Sequence, residues 1–321
     1  MSQRTSPGTF CWRVDRADTM PDGLLKTAGV AVIPCFNEGR NPIDLSQALL
    51  AVPGLDAIFV DDASEGESRE VLQSLAQFAP RVRVVRNAER AGKVSSLLGV
   101  MRSLQVQVER IVLLDCDVVV EPDVLQRVLD ELQRVDLVLV NSVALPHPRT
   151  IWGRGALFSA RRHERLRAAA IARYPALCSN GRLLGMSRRL VQAVLESDVP
   201  RHTEDAHFML VCLDRGFSYS YLPDARIAYR APDTLGDYLR QSNRFSEGCA
   251  LLAQRWPQQT LARWCDPKPA DLASTFAAQA IADPVGAVTF LVMLAVKAVQ
   301  RAPARTQEGA WAVATSTKSV R

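Results

Sequence analysis

Short apolar runs alternate with longer segments of helical spacing through the first half of the chain. Gly29–Pro34 (GVAVIP), Ala57–Val60, Val82–Val85, Ile111–Leu114 and Leu137–Val140 read as buried strands, because each is a brief run of branched or small apolar residues bounded by polar or turn-forming ones. Between them, Pro42–Val52 (stopped by Pro53-Gly54), Ser68–Phe78, a segment beginning near Val94 and one opened by Pro122 carry helical periodicity. Ser64 and Glu67 stand at capping-box spacing before the second helix. Strand and helix in alternation predict an α/β fold with a mostly parallel, doubly wound sheet over roughly the first 145 residues.

The alternation fades after Val143. Arg154–Arg173 is rich in Arg and Ala with helical spacing, Ser179-Asn180-Gly181 is a turn, and Leu183–Met186 is a short strand. Thr203-Glu204-Asp205 heads an apolar helix that stops at Gly216, where acids in the first turn also suit the helix dipole. Tyr219–Tyr229 holds short strands around Pro223-Asp224. Asp233–Leu252 is a further helix, with Gln241, Arg244 and Phe245 on about one face.

What the strands deliver at their carboxyl ends is more specific than the pattern. The first ends in Asn37 and Glu38, the second in Asp61 and Asp62, the fourth in Asp115 and Asp117. In open α/β sheets ligands bind beyond these ends, and three sets of acids or amides converging on one edge argue for a shared ligand. Asp115 and Asp117 are two hard oxygen ligands separated by one residue. In an extended chain both point to one side, which suits Mn²⁺ or Mg²⁺ with positions left open for diphosphate oxygens; an acidic, solvated strand-to-helix loop reads the same way.

Composition narrows the class. With 48% hydrophobic and 23% charged residues in a chain of 321, the protein is an ordinary globular one, and 39 basic against 34 acidic residues is too mild an excess to indicate nucleic acid. Seven cysteines without a C-x-x-C pair indicate reduced thiols rather than disulfides or zinc. The N-terminal residues carry no apolar run able to act as a secretory signal, so the expected location is the cytoplasm. Near the other end, Val285–Val296 is almost wholly apolar but short of the roughly 20 residues that span a bilayer; a buried core helix and an interfacial helix fit it equally.

Several motifs together resemble the family 2 glycosyltransferases, inverting enzymes of the GT-A fold. The resemblance covers roughly residues 30–255. It rests on IPCFNE (33–38), VDDAS (60–64), DCD (115–117) and TED (203–205), in the family's order. The run RGFSYSYLPDARIAYRAPDTLGDYLRQSNRF is similar to the branch that makes cellulose, chitin, hyaluronan and poly-N-acetylglucosamine or glycosylates lipids. That branch ends in Q-x-x-R-W; here the sequence is Gln241-Ser-Asn-Arg244-Phe245, which keeps the aromatic and loses the indole N–H. The resemblance implies nucleotide contacts from Pro34, Glu38, Asp61, Asp62, Lys93 and Asp115, and a metal site of Asp115 and Asp117. It implies a catalytic group of Asp205 as base, Glu204 beside it, and Gln241 and Arg244 closing over the diphosphate.

The expected reaction is transfer of a hexosyl group from a nucleotide-diphospho-sugar, UDP-linked in most such relatives, to a hydroxyl acceptor on a lipid, glycan or small molecule. Without a clear spanning segment, a single transfer or a short product is expected, made in the cytoplasm or peripherally on the cytoplasmic membrane face. The expected organisation is a leader over 1–27, a nucleotide-sugar-binding subdomain over 28–145, an acceptor-binding and catalytic subdomain over 146–258, and a helical, membrane-associating tail over 259–321. Two other classes remain open on the residues. A sugar-nucleotidyltransferase shares a similar sheet but carries a glycine-rich first loop, whereas PCFNEGR has one glycine. A catalytically inactive nucleotide-sugar-binding protein would not need acids at all four motifs.

Overall fold

The computed structural model describes residues 27–104 and 107–300. The expected leader therefore lies outside the described residues except for Thr27, as does the end of the expected tail. The first half runs β1 (Gly29–Cys35), α1 (Asn41–Leu50), β2 (Leu55–Asp61), α2 (Gly66–Phe78), β3 (Val82–Arg86), α3 (Lys93–Leu104), β4 (Arg110–Leu114), β5 (Val118–Val120), α4 (Pro122–Glu131) and β6 (Leu137–Ala144). The second half runs α5 (Ile151–Ala170), α6 (Pro175–Cys178), β7 (Leu183–Ser187), α7 (Arg188–Leu195), α8 (Glu204–Asp214), β8 (Tyr219–Tyr229), α9 (Leu235–Arg255), α10 (Gln258–Trp264), α11 (Pro269–Ala282) and α12 (Pro284–Val299).

All eight strands join one sheet in the order β3-β2-β1-β4-β7-β6-β8-β5. The expected parallel unit is present as β3-β2-β1-β4. β6, which the sequence suggests as its fifth member, is displaced one place outward because β7 enters antiparallel between β4 and β6. β8 then pairs parallel with β6, and the three-residue β5 closes the edge antiparallel to β8. Tyr219–Tyr229 is one strand rather than several. Its register jumps from Leu222 opposite Val140 to Arg226 opposite Asn141, so Pro223 sits in a bulge where its missing N–H is not needed.

Alternation along β1 divides the core between the two faces of the sheet. Ala31 and Ile33 pack with Phe59, Leu49, Leu125 and Val128 on one side, and Val30 and Val32 pack with Met101, Leu113, Phe208 and Met209 on the other. One local expectation fails. Ser64 does not cap α2; its hydroxyl accepts from the Asn37 N–H at 3.0 Å, and Glu65 stands at the cap position without a side-chain bond. The demand came from the left-handed residue Asn37 on the neighbouring loop, which leaves an N–H in need of a partner.

α12 is buried along one face only. Ala287, Phe290 and Met293 are buried with Phe158 of α5, while Val288, Leu291 and Val292 on the outer side are exposed. Among the described residues no helix is long and apolar enough to cross a membrane.

The strands β6, β7 and β8 are fastened to one another by a buried carboxylate. Asp136 accepts from Ser187 Oγ (2.8 Å), from Arg189 Nη2 (2.9 and 3.0 Å) and from the Ser218 N–H and hydroxyl (3.2 and 3.1 Å). It thereby joins the start of β6, the end of β7 and the approach to β8. Burial works to raise its pKa, but these donors win and hold it below the ordinary value. A depressed folded-state pKa stabilises the fold above the unfolded value, and that contribution is lost as pH falls through the folded one. Asp136→Ala is therefore expected to lower unfolding free energy by about 2–3 kcal/mol at neutral pH. In urea titrations the gap from wild type should narrow below about pH 4.

Candidate active site

A cavity of about 200 Å³ opens at the carboxyl ends of the central strands, lined among others by Lys93, Asp115, Glu204, Asp205, Gln241 and Arg244. Each comes from the end of an element. Lys93 begins α3, Asp115 follows β4, and Glu204 and Asp205 begin α8. Gln241 and Arg244 lie three positions apart on α9, hence on one face, with Phe245 completing the same wall.

Lys93 is the centre of the arrangement. Its Nζ lies 2.7 Å from Asp115 Oδ1, 2.8 Å from Glu204 Oε1 and 3.3 Å from the carbonyl of Gly181. Burial opposes the charge, yet Asp115 and Glu204 raise the ammonium pKa above its ordinary value. Gly181 leaves room for this closeness. A Cβ there would stand 3.2 Å from both Lys93 Nζ and Glu204 Oε1.

The two acids of the TED segment are driven apart. Burial would raise Glu204, but Lys93 lowers it below the ordinary carboxylate value. Among the described residues Asp205 has no such cation in contact; burial and the like charge of Glu204 push it up to about 6. Its Oδ1 accepts from the Ala206 N–H at 2.9 Å.

α9 is clamped onto this segment. Thr203 is left-handed, with φ 59°, and a Cβ on Gly248 would meet its Oγ1 at 2.8 Å, so α9 approaches the turn as closely as it does because residue 248 is glycine. Glu247 pairs with Arg201 on the same turn. Farther along, Trp256 Nε1 donates to His207 Nδ1 at 3.1 Å, which puts the imidazole proton on Nε2, facing Ser197 Oγ at 2.9 Å. Burial and nearby Arg255 lower the pKa of His207 to about 4, so this strut between α8 and the end of α9 is neutral.

Other residues expected at the site stand elsewhere. Pro34, Glu38, Asp61 and Asp62 lie at the ends of β1 and β2 and do not line this cavity. Asp61 pairs with Arg86 and accepts from the Ser64 N–H. Asp62 accepts from Asn87 Nδ2 (2.8 Å) and from the N–H groups of Ala91 (2.7 Å) and Gly92 (2.8 Å), which shapes the loop that presents Lys93. In the Ser179-Asn180-Gly181 turn, Ser179 and Asn180 are buried and bonded to Ala176 and Ser142, and only Gly181 reaches the cavity. His147 lines a separate cavity of about 250 Å³ with Leu145, Leu157 and Arg230.

Asp115 and Asp117 do not sit on an extended strand as their spacing suggests, because the chain turns at Cys116-Asp117 and drops Cys116 into the core. Burial and the like charge of Asp115 push Asp117 up to about 6. Two mutually repelling carboxylates are a donor set that fits a divalent cation, although no group of three His, Cys, Asp or Glu among the described residues forms a fuller cage. Sequence reasoning missed Arg182, Arg201 and His202 of the cavity wall. Arg201 and His202 adjoin the TED segment, which is a signal; Arg182 had none beyond following the Ser179-Asn180-Gly181 turn.

Comparisons with known proteins agree with this architecture. The mannosyltransferase PcManGT from Pyrobaculum calidifontis, solved with GDP-Man and Mn²⁺, superposes with a TM-score of 0.56 at 18% identity over 91% of this chain and 80% of its own. Glucosyl-3-phosphoglycerate synthase from Mycobacterium tuberculosis, in complex with phosphoglyceric acid, gives 0.50 at 17% identity over 75% and 81%. At these identities the likeness is one of fold, the GT-A-like arrangement of a mixed sheet with helices. In sequence, an N-acetylglucosaminyltransferase of Rhizobium sp. (strain N33) is 25% identical over 248 residues, 70% of this chain and 54% of its own, so this chain spans about half the length of that relative. The family model described as "Glycosyltransferase like family 2" matches residues 29–248, more than half of the 321, and the chain belongs to that family.

Proposed function

We propose that this protein is an inverting glycosyltransferase that moves a hexosyl group from a nucleotide-diphospho-sugar, UDP-linked, to a hydroxyl acceptor. The observation that carries the reading is the divergence of the two TED acids within one cavity. Glu204 is held ionised by Lys93, whereas Asp205 is raised to about 6, the range in which a carboxylate is half ready to take a proton near neutral pH. Asp205 is therefore the base and Glu204 a fixed charge that, with Lys93, holds Asp115 in place.

In the reaction the acceptor oxygen bonds to the anomeric carbon from the face opposite the diphosphate. Its proton passes to Asp205, and the bond from the anomeric carbon to the phosphate oxygen breaks with its electron pair leaving on the diphosphate. Arg244, half-buried on the α9 wall, supplies a permanent charge toward that leaving group, and Gln241 beside it supplies hydrogen bonds. Asp115 and Asp117 would hold Mn²⁺ or Mg²⁺, which when bound neutralises diphosphate charge. The nucleotide would extend from this cavity toward the ends of β1 and β2, where Pro34 and Glu38 lie and where Asp61 and Asp62 set the loops.

The Q-x-x-R-aromatic ending supports the branch that includes polysaccharide synthases and lipid glycosyltransferases. The exposed apolar face of α12 supports peripheral contact with a membrane surface and, with it, a lipid or glycan acceptor. Within this reading residues 28–145 bind the donor and 146–258 bind the acceptor.

Asp205→Asn should retain nucleotide binding in calorimetry and lose transfer by at least about a hundredfold; near-normal turnover rejects it as base. Transfer by the wild type should fall about tenfold per pH unit below about 6, since Asp205 must be deprotonated to accept a proton. A rate that stays level from about pH 5 to about pH 8 rejects the same assignment. For the cation, Asp117→Ala should abolish the gain in nucleotide affinity on adding Mn²⁺. Equal affinity with and without the ion in both proteins removes the metal from the scheme.

A further inference from the structure

Arg182 is a cavity-wall cation to which the mechanism above gives no task. Its side chain is partly exposed, its guanidinium lies 3.5 Å over the ring of Tyr229, and among the described residues it makes no ion pair and no side-chain hydrogen bond. Other basic groups on this wall differ: Lys93 is held between Asp115 and Glu204, and Arg201 and His202 lie against Glu247. A guanidinium stacked by its face keeps its N–H edge directed outward, with its plane already fixed.

Backbone pairing fixes where the head group rests. The Arg182 carbonyl accepts from the Asp115 N–H at 2.9 Å, and Tyr229, on which the guanidinium rests, is in register with Val118. Arg182 thus bridges the turn from one side to the other, its backbone tied ahead of Cys116-Asp117 and its head group resting behind it. The titratable groups that sense its charge are Asp117 on the turn, Arg244 across the cavity, and His163 and Glu164 of α5, and among the described residues it forms no ion pair with any of them. A planar cation held over a turn in a cleft, with its donors unused, matches the geometry of phosphate or carboxylate recognition.

We infer that Arg182, oriented by Tyr229, is an oxyanion-binding residue of this cleft that takes a phosphate or carboxylate group of a ligand beside the Asp115-Cys116-Asp117 turn. The inference deepens the proposed glycosyltransferase reading, and two ligands can supply such a group: the donor's diphosphate or an anionic acceptor. The preformed plane makes the interaction specific to arginine, because a lysine offers a point charge without a fork.

Calorimetry with inorganic pyrophosphate and with UDP probes the donor source, and titration of glycerol phosphate into protein saturated with UDP probes the acceptor source. Arg182→Gln should weaken one of these probes about tenfold or more, with Arg182→Lys restoring only part of it and Tyr229→Leu losing part while keeping the charge. Unchanged thermal midpoints for Arg182→Gln separate this from misfolding. Loss confined to pyrophosphate and UDP assigns the donor, and loss confined to glycerol phosphate assigns the acceptor. Equal affinities of wild type and Arg182→Gln for all three probes, or no binding of any by the wild type, overturns the inference. Arg182-dependent anion binding in a protein that turns over no nucleotide sugar leaves the inference standing and removes the glycosyltransferase reading instead.

Discussion

The contact on which the site depends is the Lys93 ammonium held between Asp115 and Glu204. It joins the first turn of α3, the end of β4 and the first turn of α8, three places far apart in the chain. Two carboxylates and an ammonium in a partly dehydrated cleft are each costly alone, and together they satisfy one another only if all three backbones are correctly placed. The ion triad therefore makes the position of α8 a condition of the site. With Glu204 committed to Lys93, its neighbour Asp205 is left to feel burial and a like charge without a cation in contact, which is what raises it. One residue's ion pair thus leaves the adjacent residue with the higher proton affinity.

The surrounding structure serves this arrangement at one remove. Asp62 organises the loop that carries Lys93 by accepting from two successive backbone N–H groups, and Asp61 fixes the neighbouring loop through Arg86 and Ser64. On the opposite side, the glycine at 248 lets α9 settle on the left-handed Thr203, while the neutral His207 strut sets where that helix ends. Arg244 and Gln241 are carried on α9, so their distance from Asp205 is a property of packing between two helices. The cavity is accordingly built of rigid element ends, where preorganised charges act most strongly on a developing charge.

α12 illustrates what an apolar run leaves undecided until its neighbours are in place. An almost wholly apolar dozen residues cannot reveal whether it is buried on one side or all round. Packing on α5 covers only the Ala287, Phe290 and Met293 side, and leaves an apolar outer surface that a uniformly hydrophobic helix inevitably has when it lies at the edge of a domain.

By itself the sequence determined the first four parallel strands, the helices between them and the acids at their ends, because local apolar runs and turn residues carry that information directly. It also determined that Asp115, Glu204, Asp205, Gln241 and Arg244 belong together, through motifs in a known order. What only the tertiary structure decided is which of those residues neutralise one another. Spacing cannot tell that Lys93 pairs with Asp115 and Glu204, that Asp61 and Asp62 are engaged in their own loops, or that β7 enters between β4 and β6. Nor can it show Arg182 stacked beside the acidic turn. Each of these rests on strand pairing and charge contacts between distant segments. A carboxylate's role is set by the cation and the water within a few ångströms of it, which is information the chain acquires only on folding.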